Sequence, residues 1–328
     1  MNSLIKISIL IVTKNWNKEV QNFSYIEELK DNNLDFEVLL AEGNNPSSQR
    51  NLLAKSASGD YLLFLDDDSQ PIVKLLERYR DTLNLYPETD VLGGPSLLIR
   101  KANFLDGISH LFFSSAFGIG PVKSRYNSLG AIRKATEKDL ILCNLLVRKD
   151  FFLKTKGFSR NLYPGEENEF LKNQQGSNVL YDPEAIVYRE ARDSLFLFWK
   201  QMFSYGKGRA KHFTLNNFFE YVFLIPLFFA LYVVSLPLFV DRHPIFYFPI
   251  LLHFFCSFAT VLVHKNENLT ITQKILSPFF FFSGHISYGL GLMAGFLKHN
   301  LLKKSNRKST QHQKVQIHKL KNFKKSSI

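Results

Sequence analysis

The segment GDYLLFLDDDSQP at positions 59–71 places three consecutive carboxylates at the end of an apolar run. They belong to Asp66, Asp67 and Asp68, and the turn that holds them contains no Lys or Arg. Like charges at this spacing are costly unless a cation balances them. Carboxylate oxygens suit Mg²⁺ or Mn²⁺, and such an ion could bridge to a nucleotide diphosphate. The alternative is a solvated acidic turn, or a cap for a helix that starts at Pro71.

The elements that must position these carboxylates are short β-rich runs that alternate with helical patterns over positions 1–190. This alternation predicts an α/β fold with βαβ units and a mostly parallel sheet. In such a sheet, ligands bind beyond the carboxyl ends of the strands, where Thr13, Asn15 and Glu42 also lie. The predicted strands cover 7–12, 36–41 and 60–65, and the predicted helices cover 18–30 and 46–57 and begin again at Pro71.

The second half of the chain has a different composition. Three apolar segments, at about 218–240, 244–263 and 276–297, each reach the ~20 residues that a helix needs to cross a bilayer. A soluble helical domain is the alternative, but these segments lack a polar face. The residues before them, 195–216, mix aromatic and basic side chains, which is typical of a helix lying in the membrane interface.

Charge is distributed unevenly along the chain. The formal net charge is +12, and the part from Lys298 onward holds ten Lys and Arg residues and no acid. This tail has almost no aromatic side chains to stack on bases, so we expect attraction to anionic lipids and no nucleic-acid binding. Cys143 and Cys256 are far apart and form no disulfide or metal-ligand pattern. The first apolar run is too short for a signal peptide, which predicts a cytoplasmic N-terminal part.

Four segments of the chain form a recognisable series: SILIVTKN, NNPSSQRNLLAKSASGDYLLFLDDDS, GEENEFLKN and VYREARDSLFLFWKQMFSYGKGRA. Together they resemble the family-2 glycosyltransferases of the GT-A fold. The resemblance covers about 1–215 and, more loosely, the apolar segments, and the family's Asp-x-Asp motif falls on Asp66 and Asp68. It implies a GT-A domain over 1–194, an interfacial segment over 195–216, membrane helices over 217–298 and a disordered basic cytoplasmic tail over 299–328.

The resemblance also implies a role for each candidate residue. Sugar transfer from a nucleotide-sugar donor needs a cation on the leaving diphosphate, here Mg²⁺ or Mn²⁺ held by Asp66 and Asp68. It also needs a base for the acceptor hydroxyl, for which Glu167 is the first candidate and Glu166 the second. An exposed helix start is the structural alternative for this acid pair. Thr13, Asn15 and Glu42 would face the nucleoside unless they are cap or turn residues, and Arg50 would pair with the diphosphate unless it lies on a solvated helix face.

Two departures from the family pattern bear on the type of enzyme. The acid pair is Glu-Glu instead of Glu-Asp, so the base is one methylene longer. Processive relatives carry Gln-x-x-Arg-Trp, whereas Gln201 is followed here by MFSY, although Lys207 or Arg209 could replace the missing Arg in binding the donor. We therefore expect an inverting, hexosyl-type transferase that adds single sugars to a lipid-linked or saccharide acceptor in surface polysaccharide synthesis. A processive synthase and a non-catalytic membrane adaptor are the alternatives.

The membrane topology follows from the charges. The catalytic part and the basic tail are both expected on the cytoplasmic face of the inner membrane. Three full crossings would separate them, so the sequence predicts an even number of crossings with one segment re-entrant or interfacial. The segment at 276–297 is the expected exception, because it contains Gly residues and the polar Ser283, His285 and Ser287.

Overall fold

The computed structural model describes residues 5–16, 29, 35–99, 104–174, 176–216, 220–239, 241, 243–264, 269–302 and 315–321. The chain divides into two compact units. The first comprises Met1–Leu97, Ser124–Arg189 and Thr310–Ile328, and the second comprises Leu98–Lys123 and Glu190–Ser309.

The described residues form eleven strands and ten α-helices. The strands are β1 (Lys6–Thr13), β2 (Asp35–Glu42), β3 (Tyr61–Asp66), β4 (Gln70–Pro71), β5 (Val91–Gly93), β6 (Ser96–Leu98), β7 (Arg133–Lys134), β8 (Leu145–Arg148), β9 (Val179–Tyr181), β10 (Val187–Arg189) and β11 (Gln316–Lys321). The helices are α1 (Pro46–Ser56), α2 (Leu75–Leu85), α3 (Phe104–Ser114), α4 (Ala116–Ile119), α5 (Lys149–Lys154), α6 (Glu166–Lys172), α7 (Leu195–Asn216), α8 (Ile225–Ser235), α9 (Phe248–Val263) and α10 (Ile271–Leu302).

The first unit is built on an eight-stranded sheet in the order β11-β2-β1-β3-β8-β5-β9-β7. Strand β1 is parallel to both β2 and β3, as predicted. Strand β8 enters antiparallel between β3 and β5, so the sheet as a whole is mixed instead of mostly parallel. The short strands β4, β10 and β6 form a second sheet. The α/β fold class predicted from the sequence is confirmed.

The core lies on both faces of the large sheet. Strand β1 is buried at every position except Lys6 because both its faces are covered, as in a central parallel strand. Leu53 and Ala54 of α1 pack against one face, and Leu75 and Tyr79 of α2 pack against the other. Helix α2 begins at Leu75, since Pro71 belongs to β4 and pairs with Val187. The helix expected over 18–30 lies almost entirely outside the described residues.

The C-terminal part contains a strand that the sequence did not predict. Strand β11 pairs antiparallel with the edge strand β2, so the expectation of a disordered tail is wrong for Gln316–Lys321. The Lys319 ammonium lies 2.9 Å from a carboxylate oxygen of Glu37, whose side chain is fully buried. An unpaired buried carboxylate is expensive, so this basic side chain has a structural reason to sit on the sheet. Ile317 and Leu320 are the only aliphatic residues of this strand, so its sequence lacks the apolar alternation that predicts a strand.

The second unit contains three helical segments that are long and apolar enough to cross a membrane, as predicted. They are Tyr221–Leu238, Pro244–Val263 and Ile271–Lys298. The third is the most buried, because α7 packs closely along α10. A Cβ atom on Gly206 would lie 2.1 Å from the carbonyl oxygen of Tyr288, so only glycine allows this backbone approach.

Candidate active site

The acidic turn at the end of β3 is held by its own hydrogen bonds. The backbone N–H of Asp66 donates to Ser69 Oγ (3.0 Å), and the N–H of Ser69 donates to the Asp66 carbonyl oxygen (3.1 Å). The side chains of Asp66 and Asp68 are 26% and 39% exposed. Two carboxylates of the turn therefore remain accessible to a ligand.

A buried guanidinium connects this turn to the acid pair on α6. One terminal nitrogen of Arg50 lies 2.6 Å from Asp66 Oδ1, and the other lies 2.7 Å from Glu166 Oε1. Burial alone would lower the pKa of Arg50, but the two carboxylates raise it above its ordinary value, so the side chain stays charged. The alternative of a solvated helix face is excluded, because the Arg50 side chain is only 4% exposed. Both terminal nitrogens already contact carboxylates, so Arg50 does not present a free fork to a diphosphate.

A second arginine neutralises the turn, and sequence reasoning missed it. Arg189, at the end of β10, places one terminal nitrogen 2.8 Å from Asp68 Oδ2 and the other 3.7 Å from Asp66 Oδ2. The same side chain contacts the sulfur of Cys143, whose pKa burial raises to about 11, so the thiol is neutral. The turn contains no basic residue, but the fold brings two to it. The available signal was the position of Arg189 at the end of a strand, where ligand-binding residues of α/β sheets commonly lie.

The acid pair begins α6 and is buried. Gly165 caps the helix with a left-handed backbone (φ 102°), and Glu166 and Glu167 are 0% and 6% exposed. The alternative of an exposed helix start is therefore excluded. Burial raises the pKa of Glu166, and the opposing effect of Arg50 only partly offsets it. Glu167 Oε1 lies 3.3 Å from one terminal nitrogen of Arg125, and the other terminal nitrogen of Arg125 donates to Asn168 Oδ1.

The ends of β1 and β2 are joined by a buried amide. Gln49 Nε2 donates to the carbonyl oxygens of Thr13 (2.9 Å) and Ala41 (2.6 Å). Thr13 is buried, and its Oγ1 accepts a hydrogen bond from the backbone N–H of Asn15 (3.3 Å), which is the turn role that the sequence left open. The Glu42 side chain is one-third exposed and stays available at this edge.

Gln201 and Arg209 lie on α7 in the second unit. Gln201 Nε2 donates to the Tyr205 hydroxyl (2.9 Å), and the Arg209 guanidinium lies 3.9 Å from the centre of the Phe223 ring. Each side chain thus has a partner within its own unit, and their predicted part in donor binding stays a prediction.

The acidic turn fits a divalent cation in its donor chemistry. Asp68 Oδ1 is buried and has no hydrogen-bond partner in the described part of the chain. The carboxylates of Asp66, Asp68 and Glu166 contact the two guanidiniums of Arg50 and Arg189, so these three acids outnumber their cationic partners by one even without Asp67. No three acidic, His or Cys side chains converge on one point among the described residues. Mg²⁺ often uses only one or two carboxylates and completes its shell with substrate phosphates and water.

Part of the chain is similar to a known protein family. Residues 24–112 match the family model described as glycosyl transferase family 2. The predicted family resemblance is confirmed. The family-2 match contains Arg50 and the acidic turn, whereas the acid pair of α6 and Arg189 lie beyond it. No curated protein sequence matches the chain.

Several solved structures are similar to the chain. The mannosyltransferase PcManGT from Pyrobaculum calidifontis, in complex with GDP-Man and Mn²⁺, is 11% identical with a TM-score of 0.48, covering 94% of this chain and 89% of that one. TarS 1–349 from S. aureus, in complex with UDP-GlcNAc, is 12% identical with a TM-score of 0.42, covering 97% and 99%. GalNAc-T7 with UDP, GalNAc and Mn²⁺ is 14% identical with a TM-score of 0.38, covering 64% and 52%.

The buried ion pairs of Arg50 predict a specific pattern of stability. Arg50→Ala leaves the buried carboxylate of Glu166 without a cation, so we expect a loss of about 3–5 kcal/mol in the free energy of unfolding. The double variant Arg50→Ala/Glu166→Gln should recover part of this loss, because the uncompensated charge is gone. Denaturant titration of the purified protein in detergent measures both values.

The control for this prediction is Lys74→Ala, since Lys74 pairs with Glu77 at the surface and should contribute below about 1 kcal/mol. Removing Arg50 also raises the Glu166 pKa further in the folded state, so the loss should grow as the pH rises through that pKa. Equal stability of the single and double variants at pH 8 would contradict the assigned role of Arg50.

Proposed function

We propose that this chain transfers a hexosyl group from a nucleoside diphosphate sugar to an acceptor at a membrane surface. The observation that carries the proposal is the double ion pair of Arg50, which joins Asp66 to Glu166 across 100 residues of sequence. It brings the acidic turn and the α6 acid pair into one site, as sugar transfer requires. Incubating the full chain with a panel of nucleotide-sugars and measuring released nucleoside diphosphate tests the activity.

The donor is proposed to bind along the carboxyl edge of β1, β2 and β3. Glu42 is the accessible carboxylate for the nucleoside, and the buried Thr13 shapes the turn before Asn15. Arg50 is proposed to fix the position of Asp66 and not to hold the diphosphate itself. Arg189 is the better candidate for that contact, because its partners Asp66 and Asp68 are partly exposed.

Asp66 and Asp68 are the residues that would hold a divalent cation. When bound, Mg²⁺ or Mn²⁺ supplies charge that stabilises the departing diphosphate. The orphaned Asp68 Oδ1 and the unbalanced negative charge of the turn support this assignment. Arg50 and Arg189 neutralise only part of the negative charge of the turn. They also hold Asp66 and Asp68 in place, so the cation would bind to carboxylates whose positions are already fixed.

Glu167 is proposed as the base that takes the proton of the acceptor hydroxyl. Arg125 lies 3.3 Å from Glu167 Oε1 and holds this carboxylate in position. Glu166 is fully buried under Arg50 and is proposed to orient the site instead. A single base and no enzyme nucleophile imply direct displacement, so transfer is proposed to invert the anomeric configuration.

The acceptor is proposed to be lipid-linked or otherwise presented at the cytoplasmic membrane, in surface polysaccharide synthesis. Helices α8 and α9 expose large apolar side chains such as Phe228 (63%) and Phe255 (70%), which suits contact with lipid tails. The pairing of β11 with β2 supports the expectation that the chain returns to the side on which it entered. Two crossings, by α8 and α9, satisfy this with α10 lying in the interface as one continuous helix.

Metal-dependent turnover is the first expected outcome. Asp66→Ala and Asp68→Ala should each abolish release of nucleoside diphosphate, because the turn then lacks a cation ligand, while thermal unfolding changes little for the partly exposed Asp68. Chelator should abolish turnover of the unaltered chain, and Mn²⁺ or Mg²⁺ should restore it. Full turnover of Asp68→Ala in excess chelator would exclude the metal assignment.

The acid pair predicts a separation between two variants. Glu167→Gln should lower kcat by about 10²–10⁴-fold, the usual effect of losing a general base, with donor affinity nearly unchanged. Glu166→Gln should reduce kcat less, since that side chain does not reach the acceptor. The matched control is Glu169→Gln on the same helix, which should keep normal turnover. If Glu166→Gln is the more damaging of the pair, the two roles are reversed; if neither variant slows transfer tenfold, the base lies elsewhere.

Topology can be measured with reporter fusions. Reporters before Met1 and after Ile328 should both report the cytoplasm, and a reporter inserted near Asp241, between α8 and α9, should report the opposite side. A periplasmic signal after Ile328 would overturn the even number of crossings.

A further inference from the structure

Strand β11 brings a side chain from the far end of the sequence to the edge where the donor nucleoside is proposed to bind. The register pairs Gln316 with Glu42 and His318 with Leu40, so β11 begins beside the carboxyl end of β2. Because side chains alternate along a strand, His318 lies on the same sheet face as Glu42. This edge also holds Trp16, the third residue after β1.

The His318 ring makes two contacts there. It stacks on the Trp16 ring, with centroids 5.2 Å apart and planes within 5°. Its Nε2 atom lies 3.8 Å from Glu42 Oε2. That nitrogen is buried and has no hydrogen-bond partner within the described part of the chain. A buried nitrogen without a partner, beside an accessible carboxylate, is the kind of group that a bound polar ligand would satisfy.

The register of β11 is fixed by other side chains. Lys319, on the opposite face, pairs with the buried Glu37, which also accepts hydrogen bonds from Ser8 Oγ (2.7 Å) and the Ser58 N–H (2.6 Å). Leu320 packs against the core. A slip of one residue would turn His318 away from Trp16 and move Lys319 off Glu37, so the pairing specifies where His318 lies.

We infer that His318 is a positioning residue for the nucleoside of the donor, acting through the Trp16 ring and the Glu42 carboxylate. This inference rests on the proposed function, because it takes the nucleoside to bind at the carboxyl ends of β1 and β2. The ligand class is a nucleoside diphosphate, with its base or ribose at Glu42. The C-terminal strand is thus part of the donor site and not only a cover for the sheet edge.

Variants on the two opposite faces of β11 test this inference. Binding of UDP and of GDP to the full chain in detergent is measured by calorimetry for His318→Ala and for the control Lys319→Ala, with thermal unfolding recorded for both. We expect His318→Ala to weaken nucleotide binding about tenfold and to raise the donor KM similarly, with kcat changed less than twofold. Lys319→Ala should lower the unfolding midpoint and leave nucleotide affinity within twofold, because Leu320 and the backbone pairing with β2 still hold the register of β11.

Further measurements separate positioning from a general effect on folding. His318→Phe keeps a ring on Trp16 but lacks the nitrogen beside Glu42, so it should recover only part of the lost affinity. In NMR spectra, the histidine ring signal that is missing from His318→Phe belongs to His318. This signal should shift in the unaltered chain when UDP or GDP is added. This NMR measurement tests whether the nucleotide affects the His318 ring even if His318→Ala does not fold.

Three results would overturn the inference: affinity within twofold in His318→Ala, an equal loss in Lys319→Ala, or a His318 signal that ignores nucleotide. Nucleotide binding and sugar transfer by the unaltered chain would still stand in those cases. If the unaltered chain bound neither nucleotide and transferred no sugar, the proposed function itself would fail.

Discussion

The site depends on one buried guanidinium and on the helix that carries it. Three consecutive residues of α1 reach three different parts of the unit. Gln49 joins the ends of β1 and β2, Arg50 joins Asp66 to Glu166, and Asn51 exchanges two 2.8 Å hydrogen bonds with the backbone of Phe158. A buried charge is tolerated only when it is paired, so Arg50 requires both carboxylates to keep their positions. The helix begins at Pro46 under an Asn45 cap, which fixes the direction in which these side chains point.

The two arginines change the electrostatic role that a cation would have at the acidic turn. From the sequence, three adjacent carboxylates required an external charge. In the fold, Arg50 and Arg189 supply most of it, so the turn is compatible with folding before any ion is present. What remains is Asp68 Oδ1, buried without a partner in the described residues. A cation would therefore serve the leaving diphosphate more than the stability of the turn.

The sequence was informative where the chemistry is local and uninformative where it depends on distant partners. The acidic turn, the start of α6 at Glu166 and the three apolar helices could be predicted, because strand ends, helix starts and hydropathy are properties of neighbouring residues. Arg189 contacts Asp68 across 121 residues, and no local pattern gives that pairing. Burial of the acid pair was missed for the same reason, since its partners Arg50 and Arg125 come from other segments. The strand at 316–321 was concealed by its charge, because a Lys-rich run suggests a solvated tail until Glu37 is known to need a cation.

The large sheet is completed by a strand that follows the membrane helices in the sequence. Strand β2 lies early in the sequence. Its outer edge is paired, and the buried Glu37 gains its cationic partner, only through β11, which follows α10. An uncovered edge strand is prone to wrong pairing, and a buried carboxylate without its cation is destabilising. Burial raises the pKa of Glu37, but the hydrogen bonds from Ser58 and Ser8 together with Lys319 outweigh this effect, so the pKa is below the ordinary value. Lys319 is thus one of the groups that keep this buried carboxylate ionised, and the first unit reaches its full set of contacts only after the helices of the second unit have been made.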